Sequence, residues 1–220
     1  MKNLIARILT SIVAGGLFLF TYSVSVDLFC LMLGLLSGYI IFVEWPPLMG
    51  GIKSIKFWLI SPFYPILPIM SLIFITYAFY DWNWLVPLYP FLIAWGCDIA
   101  SYFTGKLIGK HKIVPTISPG KTWEGLAGGF VAVFVINFFA IPNMGYLLPV
   151  GLGWTLGYAV VGTTVCFLGD IFVSFLKRRA HLKDTGAILP GHGGLLDRAD
   201  SVMFMGMVTL AAVLFLHRFL

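Results

Sequence analysis

Long apolar stretches separated by short polar segments run through most of this chain. Seven of them come close to the roughly 20 residues that a helix needs to cross the hydrocarbon core of a bilayer. They lie at about 8–25, 27–44, 57–79, 85–105, 125–142, 148–176 and 200–219. The pattern predicts an all-α integral membrane protein with about seven transmembrane helices. The stretch 148–176 fits either one tilted helix or two shorter helices joined near Gly151 to Gly157, and periodicity does not choose between them.

Polar residues are distributed unevenly between these stretches. The first 80 residues show ordinary membrane-helix features, including a GxxxG pattern at Gly34 and Gly38 that predicts close packing against a neighbouring helix. From Asp98 onward, ionisable residues collect in two segments, 98–124 and 170–200. We therefore interpret residues 1–220 as a single polytopic domain, in which 1–84 is a helical scaffold and 85–220 carries the chemistry.

The composition agrees with a bilayer as solvent. Hydrophobic residues make up 60% of the chain and charged residues 10%, against roughly a quarter charged in soluble domains. Cys30, Cys97 and Cys166 lie singly in apolar stretches without CxxC or Cys/His spacing, which argues against structural zinc, haem attachment and a disulfide framework. We interpret all three as packing residues.

The basic residues predict the orientation of the helices. A cytoplasmic N-terminus places 13 of the 14 Lys and Arg residues on the inner side and leaves only Arg218 outside. Both polar segments then face the cytoplasm. The net charge of +5 therefore reflects loops near anionic headgroups rather than a nucleic-acid-binding surface.

The first polar segment begins on the fourth predicted helix. Asp98, Ser101, Tyr102 and Gly105 share one helix face, and an aspartate inside a membrane needs a partner or a use. Contact with interfacial water or pairing with a lysine such as Lys106 explains Asp98 as well as a functional role does.

The loop after this helix is rich in lysine and precedes a predicted helix start. Ser118 is predicted as the N-cap, with Thr122 and Glu124 in the first turn. Such a helix N-terminus beside Lys121 also suits a phosphate group, so capping and anion binding are compatible here.

The second segment places acidic and basic groups on one helix and on the loop that follows it. Asp170, Ser174, Lys177 and Arg178 form a polar stripe on the sixth predicted helix. A glycine-rich loop then leads to Asp197 and Asp200, one turn apart at the start of the last helix. Capping and positive-inside anchoring explain these residues one at a time. Together, Asp170, Asp197 and Asp200 offer the oxygen ligands that Mg²⁺ prefers.

At these residues the sequence resembles the phosphatidate cytidylyltransferases, whose signature runs S-x-x-K-R, K-D, P-G-H-G-G and D-R-x-D. The matching segment is SFLKRRAHLKDTGAILPGHGGLLDRAD, from Ser174 to Asp200, and DIASYFTGKLIGKHKIVPTISPGKTWEG resembles an upstream block of the family. The resemblance covers roughly residues 98–202. The family usually has Lys where Gly120 stands, Ala where Ser101 stands and Glu where Val173 stands.

The resemblance implies transfer of a cytidylyl group from CTP to phosphatidate, giving CDP-diacylglycerol and pyrophosphate, with Mg²⁺ held by Asp170, Asp197 and Asp200. A second cation and a homodimer stay open, and no nucleic-acid partner is expected. It also implies a bacterial-type inner membrane with the site facing the cytoplasm. The expected catalytic residues are Asp170, Asp197, Asp200, Lys183 and His192. The expected substrate-binding residues are Asp98, Ser118, Lys121, Thr122, Glu124, Ser174, Lys177, Arg178, Asp184, Gly191, Gly193, Gly194 and Arg198.

Three alternatives stay open at this point. A CTP-dependent lipid kinase, such as a polyprenol kinase, would use similar electrostatics but release CDP. A cytidylyltransferase acting on an ether-linked isoprenoid lipid phosphate would differ only in its lipid. A cation-coupled transporter would place polar residues near the membrane midplane in related halves, whereas the polar residues here collect at one predicted surface and no internal repeat is found.

Overall fold

The computed structural model describes residues 2–145, 147–189 and 193–216. Its regular structure within these ranges is helical. The α-helices are α1 (Lys2–Val24), α2 (Val26–Tyr39), α3 (Trp45–Met49), α4 (Ile55–Ile60), α5 (Leu67–Phe79), α6 (Leu85–Ile108), α7 (Trp123–Ala140), α8 (Leu152–Arg179) and α9 (Leu196–Leu216). Two π-helical turns, Ile40–Glu44 and Pro62–Ile66, join α2 to α3 and α4 to α5, and a 3₁₀ turn, Ile141–Met144, follows α7.

Within the described residues, six helical segments are long and apolar enough to cross a membrane. They are Val26–Met49, Ile55–Phe79, Leu85–Ile108, Trp123–Met144, Leu152–Arg179 and Leu196–Phe215, and Leu9–Val24 is a shorter apolar helix. The prediction of an all-α membrane protein with about seven spans is confirmed. The stretch for which the sequence left two readings open is one helix, α8, of 28 residues.

Two of the crossing segments are interrupted where the sequence carries proline. In Val26–Met49 the π-helical turn ends at Glu44, immediately before Trp45, Pro46 and Pro47. Proline has no backbone N–H and clashes with the preceding turn, so regular α-helical bonding is interrupted near it. Single π-helical turns often occur at functional sites. The first interruption contains one acidic residue, Glu44, which is therefore a candidate for a functional role.

The helix α6 lies at the centre of the bundle and packs against α7, α8 and α9. Its contact with α7 is made close by glycine. A Cβ on Gly125 would lie 2.8 Å from the carbonyl oxygen of Ser101, and one on Gly129 would lie 3.0 Å from Sγ of Cys97. Small residues let helix backbones approach in a membrane, so Gly125-x-x-x-Gly129 is the GxxxG that packs here.

The predicted packing role of Gly34 and Gly38 is wrong. Among the described residues, a Cβ added at either position would meet no atom within 4 Å. The reason is the rotation of α2, which turns Phe29 and Ser37 into the bundle and leaves Gly34 exposed. A small-residue pattern permits close packing but does not determine which face meets a partner.

The glycine contact between α6 and α7 leads to a test. Gly129→Ala is expected to lower the stability of the protein by about 1–3 kcal/mol, because the added methyl group overpacks a filled contact. The matched control is Gly34→Ala, which adds the same methyl group to an open face. The thermal unfolding midpoint in detergent micelles measures both, and equal midpoints for the two variants would contradict this packing.

Candidate functional site

The segment between α6 and α7 folds back on itself as a short hairpin. Lys112 and Thr122 form an antiparallel bridge, the N–H of Ile113 donates to the oxygen of Lys121 at 3.1 Å, and the N–H of Trp123 donates to that of His111 at 3.0 Å. Residue 121 is thus held by backbone bonds next to the start of α7.

The helix start is four residues later than the sequence indicated. Thr122 is the N-cap of α7, and its hydroxyl accepts from the N–H of Gly125 at 3.1 Å. The prediction of Ser118 as N-cap is therefore wrong. The oxygen of Ser118 accepts instead from the N–H of Lys121 at 3.2 Å, which closes a turn and leaves the helix to begin at Trp123.

Glu124 ties the hairpin to the first turn of α7. Its carboxylate accepts from the N–H groups of Lys110 and His111 at 3.1 and 3.3 Å, and it pairs with Nδ1 of His111 at 2.6 Å. The structure thus gives Glu124 the role of shaping the loop.

Lys121 reaches from this hairpin to a carboxylate on α8. Its Nζ pairs with Asp170, and the two side chains are 24% and 23% exposed. Asp98 on α6 and the buried Asp200 on α9 lie close enough to interact electrostatically with both. Burial acts to lower the pKa of Lys121, but Asp170 and Asp98 raise that pKa above its usual value. These four residues are the acidic cluster.

Asp98 lies among the charged groups of the acidic cluster. Lys106 lies over the ring of Tyr102, with Nζ 5.6 Å from the ring centroid, while Lys121 is the cation with the largest electrostatic effect on Asp98. Arg198 contributes as well. The structure thus favours Lys121 over Lys106 as the nearby lysine, since the ammonium group of Lys106 lies over a ring on its own helix.

A second group of polar contacts surrounds Asp197 at the start of α9. Its Oδ1 pairs with Nζ of Lys177 at 2.6 Å, and the side chains are 7% and 12% exposed. Its Oδ2 accepts from the N–H of Thr185 at 2.8 Å, from the Thr185 hydroxyl at 3.1 Å and from the N–H of Gly194 at 3.1 Å. Four hydrogen bonds hold this carboxylate. We call Lys177, Thr185, Gly194 and Asp197 the buried pair network.

The glycine-rich loop is also bonded to itself. Leu189 and Gly193 exchange two backbone hydrogen bonds of 3.1 and 3.2 Å, and Gly193 has a φ of +86°, which glycine adopts without strain. The amides of Gly193 and Gly194 therefore have partners within the protein. Gly191 and His192, which the sequence also singled out, lie outside the described residues.

The remaining predicted site residues lie on α8 and on the loop that follows it. Arg178 joins the two loops, since its Nε donates to the oxygen of Ile117 at 3.3 Å and its Nη1 to that of Leu182 at 3.2 Å. Ser174 is buried on α8, while Lys183 and Asp184 are exposed on the loop that follows.

One residue of the site escaped the sequence analysis. Glu44 is fully buried and accepts from the Thr185 hydroxyl at 3.2 Å, from the N–H of Leu195 at 2.8 Å and from the N–H of Leu196 at 2.6 Å. The signal was available, because a carboxylate at the end of an apolar stretch within a membrane span needs a partner. The scaffold therefore contributes a contact to the site.

The carboxylates can be compared with what a magnesium ion requires. Among the residues that the structure describes, no three His, Cys, Asp or Glu side chains converge closely enough to hold a metal ion by themselves. Mg²⁺ usually takes one or two carboxylates and completes its shell with water and substrate phosphates. In the acidic cluster, the three carboxylates of Asp98, Asp170 and Asp200 outnumber the one cation, Lys121. That donor set fits a divalent cation shared with a phosphorylated substrate.

Comparison with known proteins finds similarity to cytidylyltransferases. The model of the cytidylyltransferase family matches residues 4–216. The phosphatidate cytidylyltransferase of Haemophilus influenzae is 39% identical over 118 residues, covering 52% of this chain and 41% of that protein. The one from Staphylococcus aureus is 42% identical over 118 residues, covering 54% of this chain and 45% of that protein. The one from Rickettsia bellii is 34% identical over 214 residues, covering 92% of this chain and 87% of that protein. The chain thus spans less than half the length of the first two relatives.

Proposed function

The chain belongs to the cytidylyltransferase family, and from this premise we propose that it transfers a cytidylyl group from CTP to phosphatidate, giving CDP-diacylglycerol and pyrophosphate. The observation that carries the proposal is the acidic cluster, where carboxylates from α6, α8 and α9 meet a lysine on a hairpin that is closed by backbone hydrogen bonds. The names of the relatives support the same activity.

The reaction requires stabilisation of negative charge on the two substrates more than it requires a general base. A phosphate oxygen of phosphatidate attacks the α-phosphorus of CTP, the bond from that phosphorus to the bridging oxygen of the β-phosphate breaks, and pyrophosphate leaves with the electron pair. The attacking oxygen is already anionic at neutral pH, so no proton has to be removed. The obstacle is the approach of two anions, and positioning with electrostatic stabilisation overcomes it.

Magnesium is part of this proposal. Asp170 and Asp200 would hold the ion, with Asp98 beside them, and a bound Mg²⁺ would neutralise phosphate charge and orient the phosphates. Asp197 stays a predicted ligand, although four hydrogen bonds already occupy it.

The cations have distinct proposed roles. Lys121 and Lys183 contact the triphosphate, and the loop shaped by Ser118, Thr122 and Glu124 receives the nucleotide. Arg178 and Arg198 face the lipid phosphate. Lys177 acts within the protein, because its ammonium group is bonded to Asp197 in a nearly buried pair.

We further propose that the site faces the cytoplasm of a bacterial cell at the inner leaflet. The distribution of 13 of 14 basic residues to one side supports this orientation. CTP would then arrive from water and phosphatidate from the leaflet. A site at the polar end of α6, α8 and α9 meets both requirements.

The choice of acceptor tests the proposal. The purified protein, in mixed micelles with CTP and Mg²⁺, is given phosphatidate, diacylglycerol or a polyprenol in separate reactions. We expect a CDP-lipid with phosphatidate and no product with the two alcohols, because the attacking group must already be a phosphate. Phosphorylation of either alcohol with release of CDP would overturn the proposal in favour of a lipid kinase.

A further inference from the structure

Glu44 belongs to the N-terminal scaffold, yet its contacts are made with the site. It ends the π-helical turn Ile40–Glu44 in the crossing segment Val26–Met49 and is fully buried. Its three hydrogen bonds, of 2.6–3.2 Å, go to residues that follow it by about 140 to 150 positions. A charged group in a membrane span is costly, and here it is used to bond a distant loop.

Two of these bonds cap the last helix. Leu196 is the first residue of α9 and Leu195 immediately precedes it, and both N–H groups donate to Glu44. The first N–H groups of a helix have no partner inside the helix, and negative charge is favourable at that end. Caps of this kind usually come from a neighbouring Ser, Thr, Asp or Asn, whereas this one comes from another helix.

The third bond connects Glu44 to the buried pair network. The Thr185 hydroxyl lies 3.2 Å from Oε2 of Glu44 and 3.1 Å from Oδ2 of Asp197. A hydroxyl has one hydrogen to donate, so the two carboxylates share it. Movement of Glu44 therefore alters the hydrogen bonding of Asp197.

Glycine lets the loop close around this carboxylate. A Cβ on Gly186 would lie 2.6 Å from Oε1 of Glu44, and one on Gly194 would lie 3.0 Å from the same atom. Both distances are shorter than those that side-chain carbons usually keep from a neighbouring atom, so a larger residue at either position would displace Glu44. The loop thus fits Glu44 without room for a larger residue.

We propose that Glu44 is a positioning residue for nucleotide binding. By fixing the start of α9 and the Thr185 hydroxyl, it places Asp197 and Asp200, which lie one and four residues beyond Leu196. The inference rests on the proposed function, because it assumes that this loop and these carboxylates receive the triphosphate and its cation. Glu44 itself contacts neither substrate.

The test separates positioning from simple stability. In Glu44→Gln, an NH₂ group replaces one acceptor oxygen and faces a donor, so the start of α9 loses at least one bond. We expect the variant to reach the membrane, with kcat/KM for CTP per folded enzyme lowered by about tenfold or more and KM for phosphatidate unchanged within about twofold. Glu44→Asp, which retains the carboxylate, is expected to recover part of the loss. The matched control is Asp27→Asn, which removes the other acidic residue of the same crossing segment.

A second pair of variants keeps the test decisive if Glu44→Gln fails to fold. Gly186→Ala presses on Oε1 of Glu44 while the carboxylate remains, and it is expected to lower kcat/KM for CTP in the same way. Gly34→Ala, where a Cβ meets no atom within 4 Å among the described residues and which lies in the same crossing segment as Glu44, is expected to have no effect.

Two results would overturn the positioning role. One is wild-type kinetics for folded Glu44→Gln or Gly186→Ala, and the other is an activity loss that only follows the folded fraction with KM for CTP unchanged. An inactive wild-type enzyme would instead refute the proposed function, so the two failures are distinguishable.

Discussion

Asp170→Asn is expected to lower turnover by about 1,000-fold while the protein remains folded in the membrane. Asp170 is the member of the acidic cluster that pairs with Lys121, and it lies beside Asp98 and Asp200. The substitution preserves the shape of the side chain but removes the charge that would hold a cation and orient the lysine. A pair that is about a quarter exposed contributes on the order of 1 kcal/mol, so the fold is expected to survive.

The measurement is the initial rate of CDP-lipid formation at saturating CTP, Mg²⁺ and phosphatidate, with folded protein quantified by size-exclusion chromatography. Asp81→Asn is the matched control, because it makes the same change at an exposed position between α5 and α6. We expect the control to retain wild-type turnover. Wild-type turnover in Asp170→Asn would remove the acidic cluster from the proposed chemistry.

Lys177→Met is expected to lower the stability of the protein by about 3–5 kcal/mol and to abolish activity at temperatures where the variant unfolds. The substitution leaves Asp197 charged, 7% exposed and without its cation. An uncompensated buried charge costs much more than a lost surface ion pair, and folded proteins have only about 5–15 kcal/mol in total. The thermal unfolding midpoint in detergent measures the effect.

The double variant Lys177→Met/Asp197→Asn separates stability from function. The amide oxygen introduced at position 197 can take the place of Oδ2 of Asp197 and accept from the N–H groups of Thr185 and Gly194. The pair then contains no unpaired buried charge. We expect the unfolding midpoint to recover much of the loss while turnover stays low, because the Asp197 carboxylate is a predicted metal ligand. Recovery of turnover together with stability would show that Asp197 has a purely structural role.

The sequence predicted those features that depend on local pattern. Hydrophobicity over about 20 residues reports burial in lipid directly, so the spans and the all-α class were predicted. The placement of the two polar segments at one face of the bundle was also predicted, but the sequence grouped Asp170 with Asp197 and Asp200, whereas the structure pairs Asp170 with Lys121 and Asp197 with Lys177. The start of α7 could not be predicted from local pattern alone, because both Ser118 and Thr122 suit an N-cap. The hairpin that ends at Lys121 makes Thr122 the N-cap.

Features that depend on rotation or on distant pairing could not be predicted. Gly34 and Gly38 carry the same spacing as Gly125 and Gly129, but only the second pair faces a neighbour, and helix rotation in the bundle determines that. Glu44 meets Thr185 and Leu196 through the packing of Val26–Met49 against the loop before α9. No local pattern connects residues about 150 positions apart. The isolated carboxylate in an apolar stretch indicated that a partner exists, but not which one.

The fate of the CTP phosphates tests the central claim most directly. Purified protein with phosphatidate and Mg²⁺ is given CTP labelled at the α-phosphorus in one reaction and at the γ-phosphorus in another. Cytidylyl transfer predicts that the α label enters the lipid and that the γ label appears in pyrophosphate. A γ label in the lipid, with the α label in released CDP, would contradict the account.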